Sequence, residues 1–139
     1  MIFGVGIDLC DAGRLEKSLV KQSFLDHVFA PSEQALLASL GEKRRAETAA
    51  ANFAAKEAFL KAAGTGLGGF AMPELAILRQ KSGAPCFALT GAAAAWVREQ
   101  GLLRRRKYMV EKALLHQTFF KAACVTQVDA DAENHTCRT

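Results

Sequence analysis

Bulky apolar residues alternate with small or polar ones at the start of the chain: Phe3, Val5, Ile7 and Leu9 against Gly4, Gly6 and Asp8. Period two predicts a strand. Its second face is glycine, glycine, aspartate, a surface that admits another backbone or a ligand closely, with Asp8 at its end. Asp11 is placed to cap a helix through Val20, with Leu15 and Leu19 on one face and Arg14, Lys17 and Lys21 elsewhere. Pro31 suits the first turn of a helix through Leu40, stopped by Gly41. The alanine-rich residues 46–63 predict a long helix leaving at Gly64. Leu75–Arg79 and residues 85–90, joined by Ser82-Gly83, predict a hairpin. Residues 92–100 predict a helix with Trp96 on its packed face. Residues 119–128 are apolar and β-prone enough for a final strand, and 129–139 form a polar tail.

These elements make an α+β domain over residues 1–128: a small antiparallel sheet packed on a long central helix. With 139 residues, 50% of them hydrophobic, the chain supports one compact domain with its own core. No segment is long and apolar enough to span a membrane. MIFGVGIDL contains Asp8 and no basic leader, so it reads as a first strand and not as a signal peptide. Cys10, Cys86, Cys124 and Cys137 form no Cys-x-x-Cys pair. Buried free thiols in a reducing cytoplasm are the simplest reading. His27, His116 and His135 lack zinc-ligand spacing. The net charge of +4 favours an acidic or phosphorylated partner. The basic runs carry no interleaved aromatics, so nucleic acid is not expected.

The candidate chemistry lies on the long helix. Phe53, Glu57 and Leu60 share a stripe, with Ala50, Ala54 and Lys61 beside it. A carboxylate in an apolar stripe must be paired or bind a cation. One solution is an intrahelical Glu57–Lys61 ion pair, of small worth. The other joins Glu57 to Asp8, since two carboxylates suit magnesium, which takes phosphate oxygens and water as its other ligands. The run Gly64-Thr65-Gly66-Leu67-Gly68-Gly69 then offers backbone to a phosphate, or simply ends the helix. It follows a helix, unlike a Rossmann loop, and its lysine precedes the glycines, unlike a Walker loop.

Three segments resemble the holo-acyl-carrier-protein synthase family, the small bacterial 4′-phosphopantetheinyl transferases. They are G-V-G-I-D-L with Arg14 after it, F-A-A-K-E-A-F-L-K-A-A-G-T-G, and S-G-A-P before the second hairpin strand. The resemblance covers residues 1–101. It implies transfer of the phosphopantetheine arm of coenzyme A to a serine of apo-acyl carrier protein, with release of adenosine 3′,5′-bisphosphate. It further implies a magnesium requirement and a homotrimer with sites between subunits. Asp8 and Glu57 match the metal ligands, and Glu57 also the group that helps deprotonate the acceptor serine. Lys61, Gly64, Thr65 and Gly66 match positions near the coenzyme's phosphates, and Arg44 or Arg45 the basic residue for the nucleotide. Arg14, with Lys17 and Lys21, lies on the helix that meets the acidic carrier.

Two departures accompany the match. Ala51-Asn52 stands where the family has Gly-Arg, replacing a phosphate-holding fork by a neutral amide. The segment A-L-L-H-Q, residues 113–117, stands where the family has Ser-x-Ser/Thr-His. His116 is then the expected third catalytic residue, without its neighbouring hydroxyls. These departures motivate an alternative, a relative that binds the carrier or coenzyme A but transfers weakly.

Overall fold

The computed structural model describes residues 2–100, 108–115 and 119–127. Strand β1 (Ile2–Asp11) runs directly into a short helix α1 (Ala12–Glu16). Helices α2 (Gln22–Val28), α3 (Pro31–Ala38) and α4 (Glu42–Ala63) follow. A 3-10 turn at Met72–Glu74 leads into the hairpin β2 (Leu75–Arg79) and β3 (Pro85–Leu89), then helix α5 (Gly91–Glu99). Strands β4 (Tyr108–Leu115) and β5 (Phe119–Gln127) complete the described chain.

The strands form two sheets, where one was expected. An antiparallel sheet has the order β1-β5-β4, and the β2-β3 hairpin stands apart. The α+β class and the long helix agree with the sequence reading; α4 begins at Glu42, four residues before the expected start. Helix α1 stops early: the predicted helix to Val20 becomes five helical residues and then turns. Its predicted cap holds, with the Arg14 backbone N–H donating to Asp11 Oδ1 at 3.1 Å. The residue pattern alone does not predict strand β4; the resemblance implies a strand near residues 113–117, which overlaps its end. The basic run 104–107, His116 and the tail 129–139 lie outside the described residues.

Glycine decides how β1 meets α4. A Cβ on Gly6 would sit 1.8 Å from the Ala58 carbonyl oxygen, and one on Gly4 would sit 2.0 Å from that of Ala62. Only hydrogen at these positions lets the strand lie on the helix backbone. The glycine face therefore receives a backbone, as one branch of the expectation had it. The opposite face of β1 stays open: Val5, Ile7 and Leu9 are 55%, 50% and 59% exposed.

The core follows α4 along its length. Ala46, Ala49 and Ala50 pack with Leu15, Leu19, Leu25, Val28, Phe29 and Leu37. Farther along, Ala58, Phe59 and Leu60 pack with Leu75, Ala93 and Val97. The Phe59 ring lies 5.2 Å from that of Phe87 and 6.3 Å from that of Phe70, which itself lies 5.7 Å from Trp96. The small alanines let neighbouring elements approach α4, and the aromatics fill the volume near its C-terminus.

Candidate active site

Asp8 shares the strand face of Gly4 and Gly6, so the close β1–α4 contact carries it to the helix. There it meets Lys61, whose Nζ donates to Asp8 Oδ1 at 2.7 Å and to the Ile7 carbonyl at 3.1 Å. This interelement ion pair takes the place of the intrahelical Glu57–Lys61 bond that the spacing allowed. Asp8 is 18% exposed and Lys61 51%, so the ammonium retains access to solvent and to other anions.

Glu57 lies one helical turn before Lys61. Partial burial pushes its carboxyl above the usual range, the Asp8 charge adds to this, and Lys61 opposes it. Asp8 and Glu57 are thus close enough to repel, with one lysine between two carboxylates. The arrangement fits a hard divalent cation: oxygen donors, a net negative charge and an open side. No larger metal-binding group exists among the described residues. Cys10, half-buried nearby, has its thiol pushed up to about 11, by burial first and then by Asp8 and Asp11. It is a free, protonated thiol at neutral pH, as the sequence suggested, though half-buried where full burial was expected.

The glycine loop begins where α4 ends. Gly64 closes the helix at φ 71°, and Gly66 has φ 65°, conformations that side chains strain to adopt. The Thr65 hydroxyl is enclosed and has no hydrogen-bond partner among the described residues. Gly69 packs onto it, for a Cβ there would lie 2.3 Å from that of Thr65. Lys61, Gly64, Thr65 and Gly66 therefore lie at the C-terminal end of α4, from about one turn beyond Glu57 onward.

Arg44 and Arg45 do not join this cluster within the chain. They sit in the first turn of α4, twelve or thirteen residues before Glu57, so roughly 20 Å away along the axis. Arg44 is exposed, while Arg45 donates from Nη2 to the Leu19 carbonyl at 3.4 Å. Arg14, Lys17 and Lys21 are exposed, on or after α1, which follows β1 directly and begins four residues beyond Asp8.

The largest correction concerns Asn52 and Lys56. Asn52 is 1% exposed and turned inward: its Nδ2 donates to Glu33 Oε1 at 3.1 Å and to the Ile77 carbonyl at 3.4 Å. It serves the interior instead of offering an amide at a phosphate edge. Lys56, which the sequence reading left without a role, is wholly buried against an equally buried Glu33, 2.6 Å away. Glu33 also accepts from the backbone N–H of Ala30 and of Ile77. The available signal was a lysine amid alanines, four residues after Asn52 and so on the same helix face.

Residues 4–114 match the sequence profile of the 4′-phosphopantetheinyl transferase superfamily. A holo-[acyl-carrier-protein] synthase of Enterococcus faecalis is 43% identical over 86 residues, 61% of this chain and 74% of that protein. One from Azorhizobium caulinodans is 44% identical over 102 residues, 71% and 74% of the two chains. Among solved structures, the Bacillus anthracis holo-(acyl-carrier-protein) synthase, in complex with CoA (3′,5′-ADP), superposes with a TM-score of 0.68 at 28% identity. The match covers 90% of this chain and 96% of that one. Sequence profile, relatives and fold agree with one another: the chain belongs to the 4′-phosphopantetheinyl transferase superfamily.

Proposed function

We propose that this protein transfers the 4′-phosphopantetheine arm of coenzyme A to a serine of apo-acyl carrier protein, releasing adenosine 3′,5′-bisphosphate. The observation that carries the reading is the convergence of Asp8, Glu57 and Lys61 across the β1–α4 contact, beside the glycine loop.

Phosphoryl transfer needs alignment and charge neutralisation more than covalent help from the protein. Asp8 and Glu57 would hold magnesium, which when bound neutralises the diphosphate and orients it. Lys61 would exchange its Asp8 partner for a phosphate oxygen once a cation satisfies the carboxylate. Glu57, with its raised proton affinity, takes the acceptor serine's proton directly or through a water. The Gly64-Thr65-Gly66 backbone lies against the coenzyme's phosphates, with the enclosed Thr65 hydroxyl available to donate. Arg14, Lys17 and Lys21 receive the acidic carrier near Asp8, an association that weakens with salt.

Arg44 lies too far from Glu57 to share one phosphate subsite within a chain, which supports a site completed by a second copy. The exposed Val5, Ile7 and Leu9 stripe gives copies an apolar surface to bury, supporting the homotrimer reading. His116 belongs to the proposed site through resemblance alone. The free thiol of Cys10 suits a reducing cytoplasm, and no helix among the described residues is long and apolar enough to cross a membrane. The second reading, carrier or coenzyme binding without transfer, keeps one motive in segment 113–117; Asn52 points away from the Asp8–Glu57 cluster.

Chromatographic detection of adenosine 3′,5′-bisphosphate tests the reaction. The product should appear with coenzyme A, magnesium and apo-acyl carrier protein together, and vanish on chelation. Release that persists in excess chelator would refute the metal requirement, and no release with a working control enzyme would refute transfer.

A further inference from the structure

Lys56 presents three N–H donors and spends all of them inside the protein. They go to Glu33 Oε2 at 2.6 Å, the Val28 carbonyl at 2.6 Å and the Met72 carbonyl at 3.0 Å. The three acceptors belong to three segments: α3, the end of α2, and the turn that follows the glycine loop. A buried ion pair is seldom more stabilising than apolar residues of the same volume, because both charges lose their hydration. Its directed bonds give what apolar packing does not, a fixed separation between named backbone atoms.

The fixed separation matters because of where Met72 lies. The loop leaves α4 at Gly64, whose N–H donates to the Lys61 carbonyl at 3.2 Å, and ends eight residues later at Met72. Lys56 ties that far end back to α4. Both ends of the loop are therefore referenced to the one helix that carries Glu57 and Lys61. Between them stand the Gly69 N–H bond to the Gly66 carbonyl at 3.2 Å and the packing of Phe70 on Phe59 and Trp96.

We propose that Lys56, braced by Glu33, is a positioning residue: it sets the glycine loop against Glu57 and Lys61, and so sets affinity for the diphosphate part of coenzyme A. The proposal rests on the transferase reading above. Lys56 touches neither substrate nor metal; it acts through the Met72 carbonyl. Loss of the tie lets the loop drift, so the coenzyme must order it on binding, at a cost in affinity.

Steady-state kinetics of Lys56→Met, with coenzyme A varied at saturating carrier, tests this against simple destabilisation. The expected result is a KM for coenzyme A about 10-fold higher, with kcat per folded enzyme within about 2-fold of wild type. Calorimetric titration of coenzyme A should show the same loss. Leu37→Ala, a core truncation in α3, is the control: it lowers activity only with the folded fraction and leaves KM unchanged. If Lys56→Met proves insoluble, Lys56→Gln, which keeps two N–H donors on a shorter side chain, should give a smaller rise in KM. A Lys56 variant that behaves like Leu37→Ala, with KM and affinity unmoved, overturns the positioning role and leaves the transferase reading intact. Absence of turnover by the wild type would overturn both.

Discussion

Lys56 and Glu57 leave α4 about 100° apart, and that single step separates a buried, fully bonded ammonium from a carboxylate facing a second carboxylate. Glu57 has a raised proton affinity because burial disfavours its charge and Asp8 repels it, while Lys61, bonded to Asp8, only partly offsets them. The sign of its effect on stability follows. Between the ordinary carboxylate value and the raised one, the folded state binds more protons than the unfolded state, so stability falls as pH rises through that window. Glu57→Gln should therefore melt a few degrees above wild type at about pH 7, with the gap closing near about pH 4, where both side chains are neutral. Scanning calorimetry across that range checks it, and a gap that widens toward acid would contradict the electrostatic account. Added magnesium should narrow the gap by stabilising wild type alone. Glu57 was legible in the sequence because a charge interrupted an apolar stripe. Lys56 was not, since a charge in an alanine helix reads equally as a surface residue until Glu33 folds over it from 23 positions away. Asn52 was misread for the same reason: its partners come from α3 and β2, not from its own neighbourhood.

Element boundaries were read best where local chemistry sets them. Asp11 caps, Pro31 starts α3, Gly64 ends α4 and Ser82-Gly83 turns the hairpin, all at or near the expected positions. Prediction failed where tertiary pairing decides: α1 yields to turns after Glu16, and β4 forms against β5 from a stretch with no clear alternation. The division into two sheets is likewise a property of pairing. The β1–α4 contact has the sharpest consequence at this scale. Gly6→Ala forces a methyl group into the Ala58 carbonyl, so strand and helix must separate. A cost of roughly 1–3 kcal/mol in urea unfolding is expected. Activity should fall by more than the loss of folded protein, because Asp8 retreats from Glu57 with the strand. A variant of wild-type stability and full activity would show that the glycine face is not required.

For the whole molecule, the open face of β1 and the distance from Arg44 to Glu57 point the same way. A single chain exposes an apolar stripe and separates two parts of its proposed coenzyme site; the proposed second copy would remedy both. Ile7→Asp places a charge on that stripe, away from α4, where it should leave the chain folded. Light scattering should then report a smaller assembly than wild type, with transfer activity lost alongside. Unchanged mass with intact activity would remove the stripe from any interface.

The central claim is that Asp8 and Glu57 together serve phosphopantetheine transfer, and the intact mass of the carrier protein tests it most directly. Apo-acyl carrier protein incubated with coenzyme A, magnesium and wild-type enzyme should gain the mass of one phosphopantetheine group. Asp8→Asn and Glu57→Gln, folded by circular dichroism, should convert the carrier at least about 100-fold more slowly, the scale of losing one electrostatic element of a charged transition state. A carrier left at its apo mass by the wild type, or modified at the wild-type rate by both variants, would contradict the account.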